Sequence, residues 1–185
     1  MSGSEPAQAA GILSRLVPRP PQPPKETVSR AGRNLWLAVP TALVLLAIVG
    51  LTLFIRIEAF VALVVLALGI ALWEMAGALM ARQFAIPLIP LLIGQSIMLV
   101  AVWMKGLGVG ILIYFITCAV AIVWNARRPM GITDALAGGF ALGWIGLIGN
   151  FAIAMAAMPD GALVILAFIL LPVANDTGGW FAGVL

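Results

Sequence analysis

Histidine is absent from the 185 residues, cysteine and tyrosine occur once each, and charged side chains make up only 9% of the chain. Without histidine there is no Ser-His-Asp or Cys-His catalysis, no His-ligated zinc and no imidazole proton relay. The one cysteine, Cys118, lies inside an apolar run. An intrachain disulfide and a cysteine metal cluster are therefore excluded, and Cys118 reads as a small buried hydrophobe. What chemistry remains rests on a few carboxylates, amides and basic groups. That favours metal-assisted or phosphate chemistry over covalent catalysis, and leaves transport open.

What the chain has instead is apolar length. Hydrophobic residues reach 63%, with a mean hydropathy of +1.16, whereas soluble domains carry about 25% charged residues. The composition predicts an all-α, polytopic membrane helical bundle. Five full transmembrane helices are expected near 35–55, 59–81, 84–103, 107–125 and 135–158, followed by the start of a sixth near 161. Each complete run reaches the ~20 residues that cross a ~30 Å hydrocarbon core at 1.5 Å per residue. No internal repeat and no separate soluble domain stand out.

The chain divides into two regions. Residues 1–33 hold Pro18-Arg19-Pro20-Pro21-Gln22-Pro23-Pro24-Lys25, too much proline for a helix. They read as a disordered, basic cytoplasmic tail, with a PxxP ligand as the alternative. The tail is too extended for the leader of a cleavable signal peptide. Residues 34–185 form the transmembrane domain. With the N-terminus cytoplasmic, the inner side carries Arg15, Arg19, Lys25, Arg30, Arg33, Arg82, Arg127 and Arg128, and the outer side only Arg56 and Lys105. Basic residues concentrate on the cytoplasmic side of membrane proteins, so this orientation is expected.

Some polar and small residues read as structural. Gly138, Gly139, Gly143, Gly146 and Gly149 crowd the fifth segment, and Gly139-xxx-Gly143 permits close helix approach. Thr133-Asp134 and Pro159-Asp160-Gly161 resemble the loop and capping chemistry that starts helices. Several tryptophans among Trp36, Trp73, Trp103, Trp124, Trp144 and Trp180 fall near segment ends, as interfacial anchors do. Gln95 and Asn150 are expected to hydrogen-bond between helices.

Glu74 and Asp176 are different. A carboxylate at membrane depth is costly without a cation, a partner or water. Asp176 falls ~22 Å along an inward-running sixth helix at 1.5 Å per residue, toward the cytoplasmic leaflet. Glu74 sits at a similar depth, so the two could share a cation or one polar cavity; alternatively Glu74 fixes helix packing through a basic or amide partner. Pro172 is expected to break the sixth helix, and Gly178-Gly179 permit unusual backbone beside the carboxylate. Broken helices persist at membrane depth where freed groups are buried or line a cavity. The residues therefore predict a cation or phosphate site near the cytoplasmic face, or a transporter site for an ion and its substrate.

Asn175-Asp176-Thr177-Gly178-Gly179-Trp180, followed by Gly183 and Leu185, resembles the Asp-(Ser/Thr)-Gly-(Ala/Gly)-aromatic-x-x-Gly-x-Leu segment of the phosphatidate cytidylyltransferases. Trp73-Glu74 resembles the aromatic-glutamate pattern of an early helix in that family. The dense match covers the last dozen residues, and the remainder agrees in layout and hydropathy. The resemblance implies a membrane-bound nucleotidyltransferase of phospholipid biosynthesis. Such an enzyme transfers CMP from CTP to phosphatidate, giving CDP-diacylglycerol and pyrophosphate with magnesium.

The same resemblance gives Asp176 a catalytic, metal-binding role toward Mg²⁺, two ions in the complete enzyme, and makes Thr177, Gly178 and Gly179 substrate-binding neighbours. It implies CTP, phosphatidate and the bilayer as partners, allows a homodimer, and includes no nucleic acid. The expected location is the inner (cytoplasmic) membrane, multi-pass, with the site facing the cytoplasm. The family's Ser-Pro-(Lys/Arg)-Lys-(Ser/Thr) segment and its later signature, with a lysine-aspartate pair and a histidine-glycine-glycine step, are not in this sequence. The chain thus reads as an N-terminal portion that is inactive alone. The competing readings are a small-solute or ion transporter, a CTP-dependent polyprenol or lipid kinase, and a non-catalytic scaffold.

Overall fold

The computed structural model describes residues 17–20 and 35–184. Most of the tail, including Arg15, Lys25, Arg30 and Arg33, lies outside the described residues, as do the side chains of Trp36 and Trp180 and all of Leu185. The described chain forms six helices: α1 Leu35–Ile55, α2 Ile57–Met80, α3 Leu88–Lys105, α4 Leu107–Asn125, α5 Gly131–Ala156 and α6 Gly161–Val184. Helices α2 to α5 and the first 19 residues of α6 are long and apolar enough to cross a membrane. This is a multi-pass membrane protein.

Short connections set the alternation of the helices. Arg56 alone separates α1 from α2, and Gly106 alone separates α3 from α4. Gly106 has φ 87°, a left-handed conformation that a Cβ would oppose, so glycine suits this one-residue turn. The α2–α3 loop is longer. There Gln83 adopts φ 66°, and the N–H of Phe84 donates back to the carbonyl of Leu79 at 3.1 Å. This is the left-handed helix stop usually given to glycine. Arg82 thus shares one end of the bundle with Arg127 and Arg128, while Arg56, Lys105 and Asp160 occupy the other.

The sixth segment differs from expectation. It is a full 24-residue helix, and Pro172 lies inside it without breaking it. Proline forfeits one N–H bond and crowds the carbonyl four residues back. In an apolar surrounding the rest of the ladder still has no better partner than itself, which is why transmembrane helices tolerate proline. The irregularity falls instead in α5, where Gly143–Leu147 is π-helical. Such one-turn bulges insert an extra residue and rotate the remainder of the helix about its axis.

Helix α5 is central. Gly138 faces Leu91 and Pro87 of the α3 side, Gly139 faces Cys118 of α4, Gly143 faces Tyr114 of α4, Gly146 faces Met98 and Gln95 of α3, and Gly149 meets Leu68 of α2. Each missing Cβ admits a neighbour, so the glycines do serve packing. The Tyr114 hydroxyl also donates to the Gly139 carbonyl at 3.2 Å. Around this axis Leu72, Leu91, Met98, Ala121, Ala141 and Leu142 form a core from four helices. A second cluster, Leu53, Phe60, Ala156 and Ile165, ties α1 and α6 to α2 and α5. Large apolar side chains stay exposed around the bundle, as lipid contact permits.

Candidate functional site

Asp176 lies on the second half of α6, and every residue from Leu170 to Gly179 is exposed. Among the described residues of α6 the buried ones are Gly161 and Ile165, near its start, where the helix meets α5 and α1. Among the described residues, no neighbouring atom comes within 4 Å of where a Cβ would stand on Gly178, Gly179 or Gly183. The motif is therefore carried on a regular helix, not on an opened backbone. Its N–H groups are engaged in the ladder, so they are not the freed groups that a helix broken at Pro172 would offer to a phosphate.

Glu74 occupies a different place. It lines a hollow of about 600 Å³ with Arg19, Trp73, Ala78, Trp144 and Ile145, and Asp176 is not among the lining residues. Among the described residues no group of three or more carboxylates, cysteines or histidines could hold a metal ion. As it stands, Asp176 offers one carboxylate where magnesium takes near-octahedral oxygen ligation. The residues present do not by themselves fit a magnesium centre.

A basic, aromatic face surrounds Glu74. Val17–Pro20 runs over α2 so closely that a Cβ on Gly77 would meet the Arg19 carbonyl. Beside it a second hollow, about 610 Å³, is lined by Pro18, Trp73, Leu92, Trp124 and Arg128 among others. Residues 18–20 are non-helical, as the proline content predicts.

Three polar positions differ from the sequence reading. Gln95 and Asn150 are buried as anticipated, yet Gln95 Oε1 and both amide atoms of Asn150 lack hydrogen-bond partners. Asp134 caps nothing: it lies inside the first turn of α5, 5% exposed, and its Oδ1 accepts the Ala85 N–H at 3.0 Å. Asn125, fully buried at the end of α4, was not singled out by sequence. Its position after an apolar run resembles an ordinary helix end, and Gly131 returns close onto its carbonyl.

The cytidylyltransferase family model matches residues 36–185. The chain belongs to that family. It is 30% identical over 84% of its length to the phosphatidate cytidylyltransferase of Mycobacterium leprae, covering 56% of that protein. It is 29% identical over 89% of its length to the enzymes of the same name from Mycobacterium bovis and Mycobacterium tuberculosis, covering 58% and 54% of them. The chain thus spans a little over half the length of the curated relatives it matches. No solved structure matches it. The family resemblance read from Asn175–Leu185 and Trp73-Glu74 is borne out.

Proposed function

We propose that this chain is part of a phosphatidate cytidylyltransferase, which transfers CMP from CTP to phosphatidate and releases pyrophosphate. The observation that carries the reading is the Asp176-Thr177-Gly178-Gly179 motif within a matched region of the cytidylyltransferase family. In the reaction a phosphate oxygen of the lipid attacks the α-phosphorus of CTP, the bond to pyrophosphate breaks, and no enzyme nucleophile is needed. That agrees with a chain lacking histidine. Magnesium, where bound, would stabilise the attacking and leaving oxygens.

On this reading Asp176 supplies one carboxylate toward the metal, and Thr177, Gly178 and Gly179 shape the adjoining surface. The remaining oxygen ligands, and the cations that neutralise phosphates, do not stand beside Asp176 among the described residues. The 185 residues alone are therefore assigned no turnover. The basic residues support a cytoplasmic N-terminus. That orientation puts Asp176 on the cytoplasmic half of the inner membrane, where CTP and phosphatidate meet.

The test joins this chain to the part of the Mycobacterium leprae relative that it does not match. Membranes carrying the chimera should form CDP-diacylglycerol from CTP and phosphatidate, whereas membranes carrying residues 1–185 alone should not. A phosphorylated alcohol as the product would assign a lipid kinase. Solute uptake without CTP dependence would assign a transporter. Either result overturns the proposal.

A further inference from the structure

The outer face of α3 and α4 carries a groove unrelated to Asp176. Its volume is about 420 Å³, its walls include Ile93, Ile97, Ile113, Ile116 and Val120, and its floor is the close contact of Gly94 with Thr117. A Cβ on Gly94 would strike both branches of Thr117, whose hydroxyl is turned away to the Ile113 carbonyl at 2.8 Å. The polar groups of the floor are thus satisfied internally, and the groove is apolar along its length.

At one end the groove adjoins the hollow that contains Arg128, and Ile89 and Trp124 line both. Trp124 lies in the last turn of α4, and Arg128 sits just beyond it in a loop holding two arginines and no acid, Ala126-Arg127-Arg128-Pro129-Met130. An indole beside a cation at the end of a transmembrane helix marks headgroup level. Apolar walls leading to a cation match one acyl chain joined to a phosphate.

We propose that the two adjoining hollows act as one channel that holds one anionic glycerophospholipid of the surrounding bilayer, with an acyl chain between α3 and α4 and its phosphate at Arg128. The ligand is distinct from a reacting lipid, because α6, which bears Asp176, packs on α1 and α5 and not on this face. The lipid site does not depend on the proposed reaction. A second copy of the chain is the competing occupant. Complementary charge decides for the lipid, since the mouth would bring Arg128 of each copy onto a similarly basic face.

The experiment reconstitutes residues 1–185 in vesicles of equal palmitoyl-oleoyl phosphatidylglycerol and phosphatidylcholine. The protein is then extracted into detergent, and the lipid retained per chain is measured by native mass spectrometry. The expected result is one phosphatidylglycerol held in preference to phosphatidylcholine. Arg128→Ala should weaken that preference about fivefold, the scale of one cation at an anionic surface. Arg127→Ala, one residue away and outside the channel lining, should leave it nearly unchanged. Ile116→Trp, which fills the groove from a lipid-facing position, should remove retention of either lipid while circular dichroism shows undiminished helix. Equal retention of the two lipids, or equal loss from Arg127→Ala and Arg128→Ala, overturns the proposal in favour of ordinary boundary lipid. A dimer that Ile116→Trp converts to monomer, with lipid retention unchanged, overturns it in favour of self-association.

Discussion

Asp134 Oδ1 accepts the backbone N–H of Ala85 across 3.0 Å, fastening the first turn of α5 to the loop that leads into α3. The pair is 49 residues apart in sequence and joins two segments at the same end of the bundle. Asp134 is nearly buried whereas Ala85 is exposed, so deleting the carboxylate leaves an N–H that water can reach. Hydrogen bonds to charged groups contribute about 1.5–3 kcal/mol, and that exposure places this one at the lower end. Asp134→Ala should therefore destabilise the protein in detergent by about 1–2 kcal/mol. Asp134→Asn, which keeps an oxygen acceptor, should recover most of the loss. Equal melting temperatures for the alanine variant and the parent would show that the bond carries no weight.

The α3–α4 contact gives a second expectation. Gly94→Ala must displace Thr117, because the new methyl overlaps both branches of that side chain. Overpacking of this kind costs about 1–3 kcal/mol. Thr117→Ala removes the two nearest of the three clashing atoms and leaves only Cβ, so the double variant should be more stable than the sum of the single variants predicts. Strict additivity in thermal unfolding would mean that the helices do not meet at these two residues.

An unbroken α6 is open to distance measurement. With Cys118 replaced, spin labels at the exposed positions Leu163 and Thr177 should lie ~21 Å apart along the axis, the length of 14 residues at helical rise. A break at Pro172 would shorten and broaden that distance. Pro172→Ala should leave it unchanged.

Much of this architecture is legible in the sequence. Apolar runs bounded by Arg56, Lys105-Gly106 and Arg127-Arg128 set the number and borders of the helices, since each must span the hydrocarbon and each charge must leave it. The glycines of α5 announce a close-packed helix through their spacing. The Pro172 break misled because proline's penalty is measured in water, where the freed carbonyl is solvated, while lipid offers no such outlet. The π-turn at Gly143–Leu147 has no local signature; Tyr114, Met98 and Leu68 seat against Gly143, Gly146 and Gly149 along it and just beyond it. The burial of Asp134 was likewise hidden, because it depends on the Ala85 loop from elsewhere in the chain, and that of Asn125 because it depends on how the following loop folds back at Gly131. At the candidate site the motif is legible in the sequence, and only the fold shows that Glu74 lines a hollow without Asp176, which stands exposed on α6.

Orientation carries its own consequence. If the ends bearing Arg82, Arg127 and Arg128 face the cytoplasm, a cysteine at Gln83 should react with an impermeant maleimide in inverted inner-membrane vesicles and not in intact spheroplasts. A cysteine at Asp160 should show the reverse. Both positions are exposed and lie in loops between helices. Swapped labelling would invert the bundle.

The separation of Glu74 from Asp176 distinguishes their roles in the chimera with the relative's remaining part. Asp176→Asn should lower CDP-diacylglycerol formation by at least about 100-fold, beyond the 10–100-fold typical of losing an outer-shell metal partner. Asp176→Glu keeps a carboxylate but shifts it by a methylene, so it should retain some turnover and raise the magnesium concentration needed for half-maximal rate. Glu74→Gln should leave that magnesium concentration unchanged, whatever it does to the rate, because its side chain lines a hollow that Asp176 does not reach. Membrane insertion and helix content of all three variants, read by circular dichroism of the extracted protein, should match the parent. A magnesium requirement raised equally by Glu74→Gln and Asp176→Glu would place both carboxylates on one ion and overturn the separation.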